Sequence, residues 1–173
     1  MSAPEVAAYA ADGSARMGRW IVSTVPANWS FEPGFGLRHN SPTQPASNIT
    51  VVDDVLLGGD KLEPYVKAQM EILKGRFKDP VFGGPQPSAL FPADEALMLL
   101  IRHPEHEGKR VLQVQTYVRI EHWLGIITLS TLEQMLTTVR KDYEQFVASL
   151  KVAPPDPPPP AHDAPDAEAE GTA

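Results

Sequence analysis

The order of apolar and polar residues along the chain predicts an antiparallel sheet interrupted by two helices. The segment RVLQVQTYV alternates with the two-residue period of a strand, which places its glutamines on one face with Val111 and Tyr117. Apolar segments precede and follow it across short turns, so residues 93–131 are expected to form a three-stranded meander. Three further segments have strand character: RWIVSTVP, FGLRH and SNITVVDDVLL.

Two segments have helical periodicity. The first, GGDKLEPYVKAQMEILKGRF, begins with Asp60 as the expected N-cap and Pro64 in the first turn. It carries more apolar residues than one core-facing stripe requires. Two adjacent stripes run along it, formed by Leu62, Val66 and Met70 and by Gln69, Leu73 and Phe77. The second segment, LEQMLTTVRKDYEQFVASL, is strongly amphipathic.

This pattern predicts an α+β domain with one antiparallel sheet flanked by helices. The length of 173 residues indicates one domain, which we place at 18–152. We expect residues 1–17 to be a flexible extension and 153–173 to be a disordered, acidic, proline-rich tail. The net charge of −7 is concentrated in that tail, so the nearly neutral domain argues against a nucleic-acid partner.

Composition narrows the function classes further. The chain has no cysteine, which excludes disulfide scaffolds, thiolate zinc sites and cysteine nucleophiles. The first residues have neither the basic region nor the apolar run of a signal peptide, and no window reaches about 20 apolar residues. We therefore expect a cytoplasmic protein that is not membrane-inserted and that uses no metal and no cofactor.

The candidate catalytic motifs are weak. In HPEHE, His103 and His106 are three residues apart in a turn, so their side chains diverge, and a surface turn is favoured over a metal site. Asp53 and Asp54 are adjacent in a strand, so they face opposite sides and cannot act as a carboxylate pair. The glycine segments GGDK and FGGP lack the context of a phosphate-binding loop. A protein without catalytic activity is expected.

The most informative feature is the presence of glutamines within apolar surfaces. Gln69 lies in the helical stripe with Leu73 and Phe77, and Gln113 and Gln115 lie on one strand face. These glutamines either face water or line an apolar groove that binds a helix through both apolar contacts and hydrogen bonds. Spacing alone leaves both interpretations open.

Several segments resemble the DcrB-like family of the PsbP-like α/β/α sandwich fold, and most closely the Eag chaperones of bacterial type VI secretion. The matching segments are VPANW, GDKLEPYVKAQMEILKGRF, VLQVQTYVR and a last helix that ends in ASLK. The resemblance implies a homodimeric chaperone that shields the N-terminal transmembrane helices of an effector of the Rhs or PAAR type.

The resemblance also implies which residues contact that cargo. The cargo-facing positions of the family match Gln69, Leu73, Phe77, Val111 and Gln115, and Gln113 lies on the same strand face. The apolar strand after the tryptophan adds Phe35 and Leu37. The alternative function is a non-catalytic module of the same fold that binds a folded soluble partner.

Overall fold

The computed structural model describes residues 15–17, 19–32, 36–42, 45–56 and 61–153. The helices in this part of the chain are α1 (Leu62–Arg76) and α2 (Leu136–Ser149), and a 3-10 turn at Glu133–Met135 leads into α2. The strands are β1 (Ala15–Met17), β2 (Trp20–Val22), β3 (Trp29–Glu32), β4 (Gly36–His39), β5 (Asn48–Val55), β6 (Val81–Pro87), β7 (Glu95–Arg102), β8 (Val111–Ile120), β9 (Trp123–Leu132) and β10 (Leu150–Val152).

The main sheet has seven strands in the order β3-β4-β5-β9-β8-β7-β6, and every pairing in it is antiparallel. A smaller sheet joins β1, β2 and β10. The predicted α+β architecture is confirmed, and so is the meander, which β7, β8 and β9 form. The strand predicted at 19–26 is confined to β2, and β1, β3, β6 and β10 were not predicted.

The two helices pack on opposite faces of the main sheet. On α1, Leu62 and Val66 are fully buried against a cluster that includes Leu99 of β7 and Leu124 of β9. Two residues of the first stripe are therefore core residues, and Pro64 lies in the first turn as expected. The predicted N-cap Asp60 lies outside the described residues. Lys61 is the N-cap, and the carboxylate of Glu95 accepts the Leu62 N–H at 3.1 Å.

The other face carries α2 and the larger aromatic cluster. Within α2, the residues predicted from its periodicity, such as Val139 and Phe146, are fully buried. Trp20 of β2 is also fully buried, and its ring lies 4.6 Å from that of Trp123. A Cβ atom on Gly125 would lie 2.0 Å from the Trp20 ring, so glycine is required there.

The predicted extension and tail lie almost entirely outside the described residues. Residues 1–14 and 154–173 are not among them, so the flexibility of the extension and the disorder of the tail stay predictions. Residues 15–17 do pair with β2, before the predicted boundary at 18. Among the described helices, none combines the length and the apolar character needed to cross a membrane.

Candidate binding groove

The face of the main sheet that carries α1 is only partly covered. The helix packs mainly on β6, β7 and β8, which leaves most of β9 and β5 beyond it. Val52 of β5 is 52% exposed there, and Ile126 and Thr128 of β9 are only half-buried. We call this open area the groove. Its floor is β8, β9 and β5, and its wall is the side of α1 that carries Tyr65, Gln69 and Leu73.

Strand register arranges the floor in rows that cross the three strands. Because every second residue of a strand points to the same face, the partners in each row are neighbours on the floor. The two middle rows are polar and form what we call the polar belt, and the rows at either end are apolar. In order, the rows are Tyr117, Ile126 and Val52; Gln115, Thr128 and Thr50; Gln113, Ser130 and Asn48; and Val111 with Leu132.

Hydrogen bonds hold the two glutamines of the polar belt in defined orientations. The amide oxygen of Gln113 lies 3.2 Å from His103 Nε2, and its amide nitrogen donates to Ser130 Oγ at 3.3 Å. The amide oxygen of Gln115 accepts from the Tyr117 hydroxyl. No hydrogen bond from the Gln115 amide nitrogen is seen within the described residues. The polar belt therefore presents N–H donors to any molecule that lies in the groove.

Two tyrosines close one end of the groove. Tyr65 reaches from α1 to β5, where its hydroxyl donates to Asp54 Oδ2 at 2.6 Å, and its ring packs edge-on to Tyr117 at 6.3 Å. Burial, and then the hydrogen bond to Asp54, raise the pKa of Tyr65. Burial raises the pKa of Tyr117 to about 12. Both hydroxyls are therefore protonated at neutral pH and act as donors.

The adjacent aspartates behave as predicted from strand alternation. Asp54 lies on the groove side, whereas Asp53 faces the opposite side and accepts the Trp20 indole N–H at 2.7 Å. The HPEHE segment also forms the predicted surface turn, in which His106 pairs with Lys109. His103 instead points to the groove and packs edge-on to Phe77 at 4.6 Å.

The structure brings six of the predicted contact residues to the groove side of the molecule. All six are half-buried, as expected for side chains at the rim and floor of an open surface. They are Gln69, Leu73, Phe77, Val111, Gln113 and Gln115. Whether they contact cargo stays a prediction.

The two candidates near β4 do not join this set. Phe35 lies outside the described residues. Leu37 is 1% exposed and pairs with Ile49 in the core on the α2 side of the sheet, which corrects its placement as a surface contact. The physical reason is strand alternation, which turns the neighbours Gly36 and Arg38 toward the groove side instead.

Sequence reasoning missed most of the floor. Val52, Ile126, Thr128 and Ser130 lie on segments whose alternation was visible, but their contribution depends on β5 pairing with β9. That pairing joins segments far apart in the chain, and no local signal specifies it.

The fold and the groove define a class of protein: an α+β domain in which one sheet face is half open and carries both apolar and polar side chains. No protein-family model matches the chain, and no curated protein matches it in sequence. Similarity is found among solved structures, at low sequence identity.

Three solved structures are similar to the chain at 14–16% sequence identity. PA94, a Pseudomonas aeruginosa protein of unknown function, is 15% identical over 82% of this chain and 96% of its own, with a TM-score of 0.58. LpqN of Mycobacterium tuberculosis, involved in cell envelope biogenesis, is 16% identical over 78% of this chain and 83% of its own, with a TM-score of 0.55. The PsbP protein of Synechocystis sp. PCC 6803 is 14% identical over 78% of this chain and 86% of its own, with a TM-score of 0.48. The first two share this fold.

Proposed function

We propose that this protein is a cytoplasmic chaperone that binds an N-terminal transmembrane helix of a type VI secretion effector in the groove before the effector is loaded. The observation that carries the proposal is the open sheet face beside α1. There, apolar rows flank a polar belt, and the side wall is the helix stripe that resembles the cargo-facing stripe of the Eag chaperones.

The dimensions of the groove fit one helix. Three adjacent strands span roughly 10 Å between the first and the third, which is close to the diameter of a helix with its side chains. The four rows of the floor extend over residues 126–132 of β9, so the floor is about 23 Å long, and a transmembrane helix of about 20 residues is about 30 Å long. A helix that lies along the floor strands would therefore fill the groove and extend beyond one end of it.

The chemistry of the floor fits a membrane helix better than a fully polar partner. Covering about 400 Å² of apolar helix surface is worth about 10 kcal/mol before the costs of association. Transmembrane helices also carry serine, threonine and glycine at positions that pack on other helices. Gln115 has amide donors directed to the groove, which can hydrogen-bond to such residues at mid-helix.

Val52→Arg tests the site with little risk to the fold, because Val52 is already 52% exposed. An arginine there would lose its water on contact with an apolar helix, which costs several kcal/mol, so we expect the affinity for an effector N-terminal fragment to fall at least about 100-fold. Val81→Arg is the matched control, since Val81 is 60% exposed on β6, outside the groove. Co-purification and fluorescence titration measure binding, and thermal melting checks the fold.

Leu73→Arg provides a second variant on the wall of the groove. It is expected to abolish cargo binding, and because half-buried Leu73 also packs against the core cluster under α1, the result counts only if thermal melting shows that the variant is folded. Wild-type affinity for the fragment in both Val52→Arg and Leu73→Arg would reject the groove as the cargo site. Binding of a folded soluble partner that these variants abolish, with no binding of the membrane helix, would support the alternative function.

A further inference from the structure

A second concavity lies on the opposite face of the main sheet, between α2 and the strands β6 and β7. Its volume is about 390 Å³. Met98, Leu100 and Val114 form its floor, Leu136 lies at the start of α2, and Gly83 contributes no side chain. These apolar side chains are half-buried. We call this concavity the α2 cavity.

The interior of the α2 cavity has no hydrogen-bonding requirement that a ligand must meet. Its buried polar group is the Tyr143 hydroxyl, which is 2.7 Å from Thr116 Oγ1 and donates to the Ile127 carbonyl at 3.1 Å. Burial raises the pKa of Tyr143, so the phenol stays neutral. An apolar ligand body therefore fits this interior, because none of the buried side-chain polar atoms that lack a partner in the described residues belongs to a residue lining the cavity.

The mouth of the α2 cavity is polar and rich in donors. Arg140 donates through Nε to Glu144 at 2.7 Å, which engages one of the five N–H donors of a guanidinium. No partner for its two terminal nitrogens is seen in the described ranges. Gln86 adds an amide to the same mouth. Glu144 also lines the mouth and offsets the charge of Arg140, but the remaining N–H groups of Arg140 and the Gln86 amide can donate to a head group that accepts hydrogen bonds.

We propose that the α2 cavity binds the alkyl chain of a medium-chain carboxylate, with the carboxylate at Arg140. The volume lies near the lower end of the range for small-molecule sites. The cavity is also too small for a helix, whose diameter with side chains is about 10 Å. This site is on the other face from the groove, so the proposal does not depend on the function of the groove.

Titration calorimetry of the full chain with decanoate tests the proposal, with decanol and decyltrimethylammonium as comparison ligands. We expect decanoate to bind best and the cation worst. Arg140→Gln is expected to weaken decanoate binding about tenfold and to leave decanol binding nearly unchanged, since one charge-assisted contact is lost.

Gly83→Phe tests the location. A Cβ atom on Gly83 would be 3.6 Å from Leu100, an ordinary contact, so the ring can enter the cavity without backbone strain. We expect decanoate affinity to fall at least about tenfold. Val81→Phe is the matched control, because Val81 is on the same strand and does not line the cavity.

The wild-type protein gives an independent readout by methyl NMR. The Met98 methyl signal is expected to shift with decanoate, whereas that of Met70, on α1, is not. Decanoate binding weaker than about 1 mM, a Met70 shift without a Met98 shift, or equal affinity in folded Gly83→Phe would each overturn the proposal. Loss of decanoate binding in Val52→Arg would place the ligand in the groove and overturn it as well.

Discussion

Gly125→Ala is predicted to be among the most damaging small substitutions in the protein. Gly125 lies on β9, between two residues that face the groove side, and its own missing side chain faces Trp20. A Cβ atom there would be 2.0 Å from Cζ2 and 2.9 Å from Cη2 of the Trp20 ring. Real Cβ contacts are not this short, so the ring or the strand must move.

Neither can move easily. Trp20 is fully buried, its N–H is bonded to Asp53 at 2.7 Å, and its ring packs on Phe91 at 5.4 Å and Trp123 at 4.6 Å. Overpacking in a rigid core costs about 1–3 kcal/mol. Because the ring is held on three sides, we expect a loss near the upper end, about 3 kcal/mol, and a fall in melting temperature of about 6–12 °C.

Guanidinium denaturation measures the free energy of unfolding of Gly125→Ala and of Gly75→Ala, which serves as the matched control. Gly75 is exposed in α1 with nothing within 4 Å of an added Cβ, so alanine is expected to stabilise the protein by about 0.5 kcal/mol. In a Trp20→Phe background, Gly125→Ala should cost at least about 1 kcal/mol less. A loss below about 1 kcal/mol in the wild-type background would refute the reasoning.

Two further predictions concern pH and assembly. Burial raises the pKa of Tyr117 to about 12 from the value near 10 expected when unfolded, so its stabilising contribution is present below pH 10 and is lost as pH rises toward 12. Between pH 8 and 11, this loss lowers the free energy of unfolding by about 1.4 kcal/mol, as measured by denaturation. The Tyr117→Phe variant should lack this part of the pH dependence, and an unchanged pH dependence would contradict the prediction. Light scattering at micromolar concentration is expected to show a homodimer, as the family resemblance implies, and a strict monomer would contradict that expectation.

The elements with clean periodicity could be predicted from the sequence. The meander of β7 to β9 alternates over long segments joined by short turns, and α1 carries its buried stripe at helical spacing. β6 was missed because its sequence, VFGGPQP, contains two glycines and two prolines, residues that strands generally avoid. It forms a strand because it lies at the edge of the sheet and pairs on one side only, where proline is tolerated.

The groove could be predicted only in part, because β5 and β9 contribute to its floor through a pairing between distant segments of the chain. Its wall and the contribution of β8 follow from local patterns, which predict that Gln69 and Leu73 share one helix stripe and that Gln113 and Gln115 share one strand face. The other two floor strands follow from long-range pairing. Leu37 was misplaced because the glycines around β4 obscure its register, and a shift of one residue exchanges the two faces of a strand.

The opening of the groove is a consequence of how little of this sheet one helix can cover. Seven strands at about 4.8 Å spacing span roughly 30 Å, whereas a packed helix is about 10 Å wide. On the α2 side, the remaining area is partly filled by Trp20 and Trp29, which belong to the same core as α2. On the α1 side, no second described element lies beyond β8, and Val52 stays 52% exposed. An apolar sheet surface left open in this way needs either a partner that covers it or polar side chains that keep it hydrated. The polar belt keeps the empty groove hydrated and still leaves room for a partner.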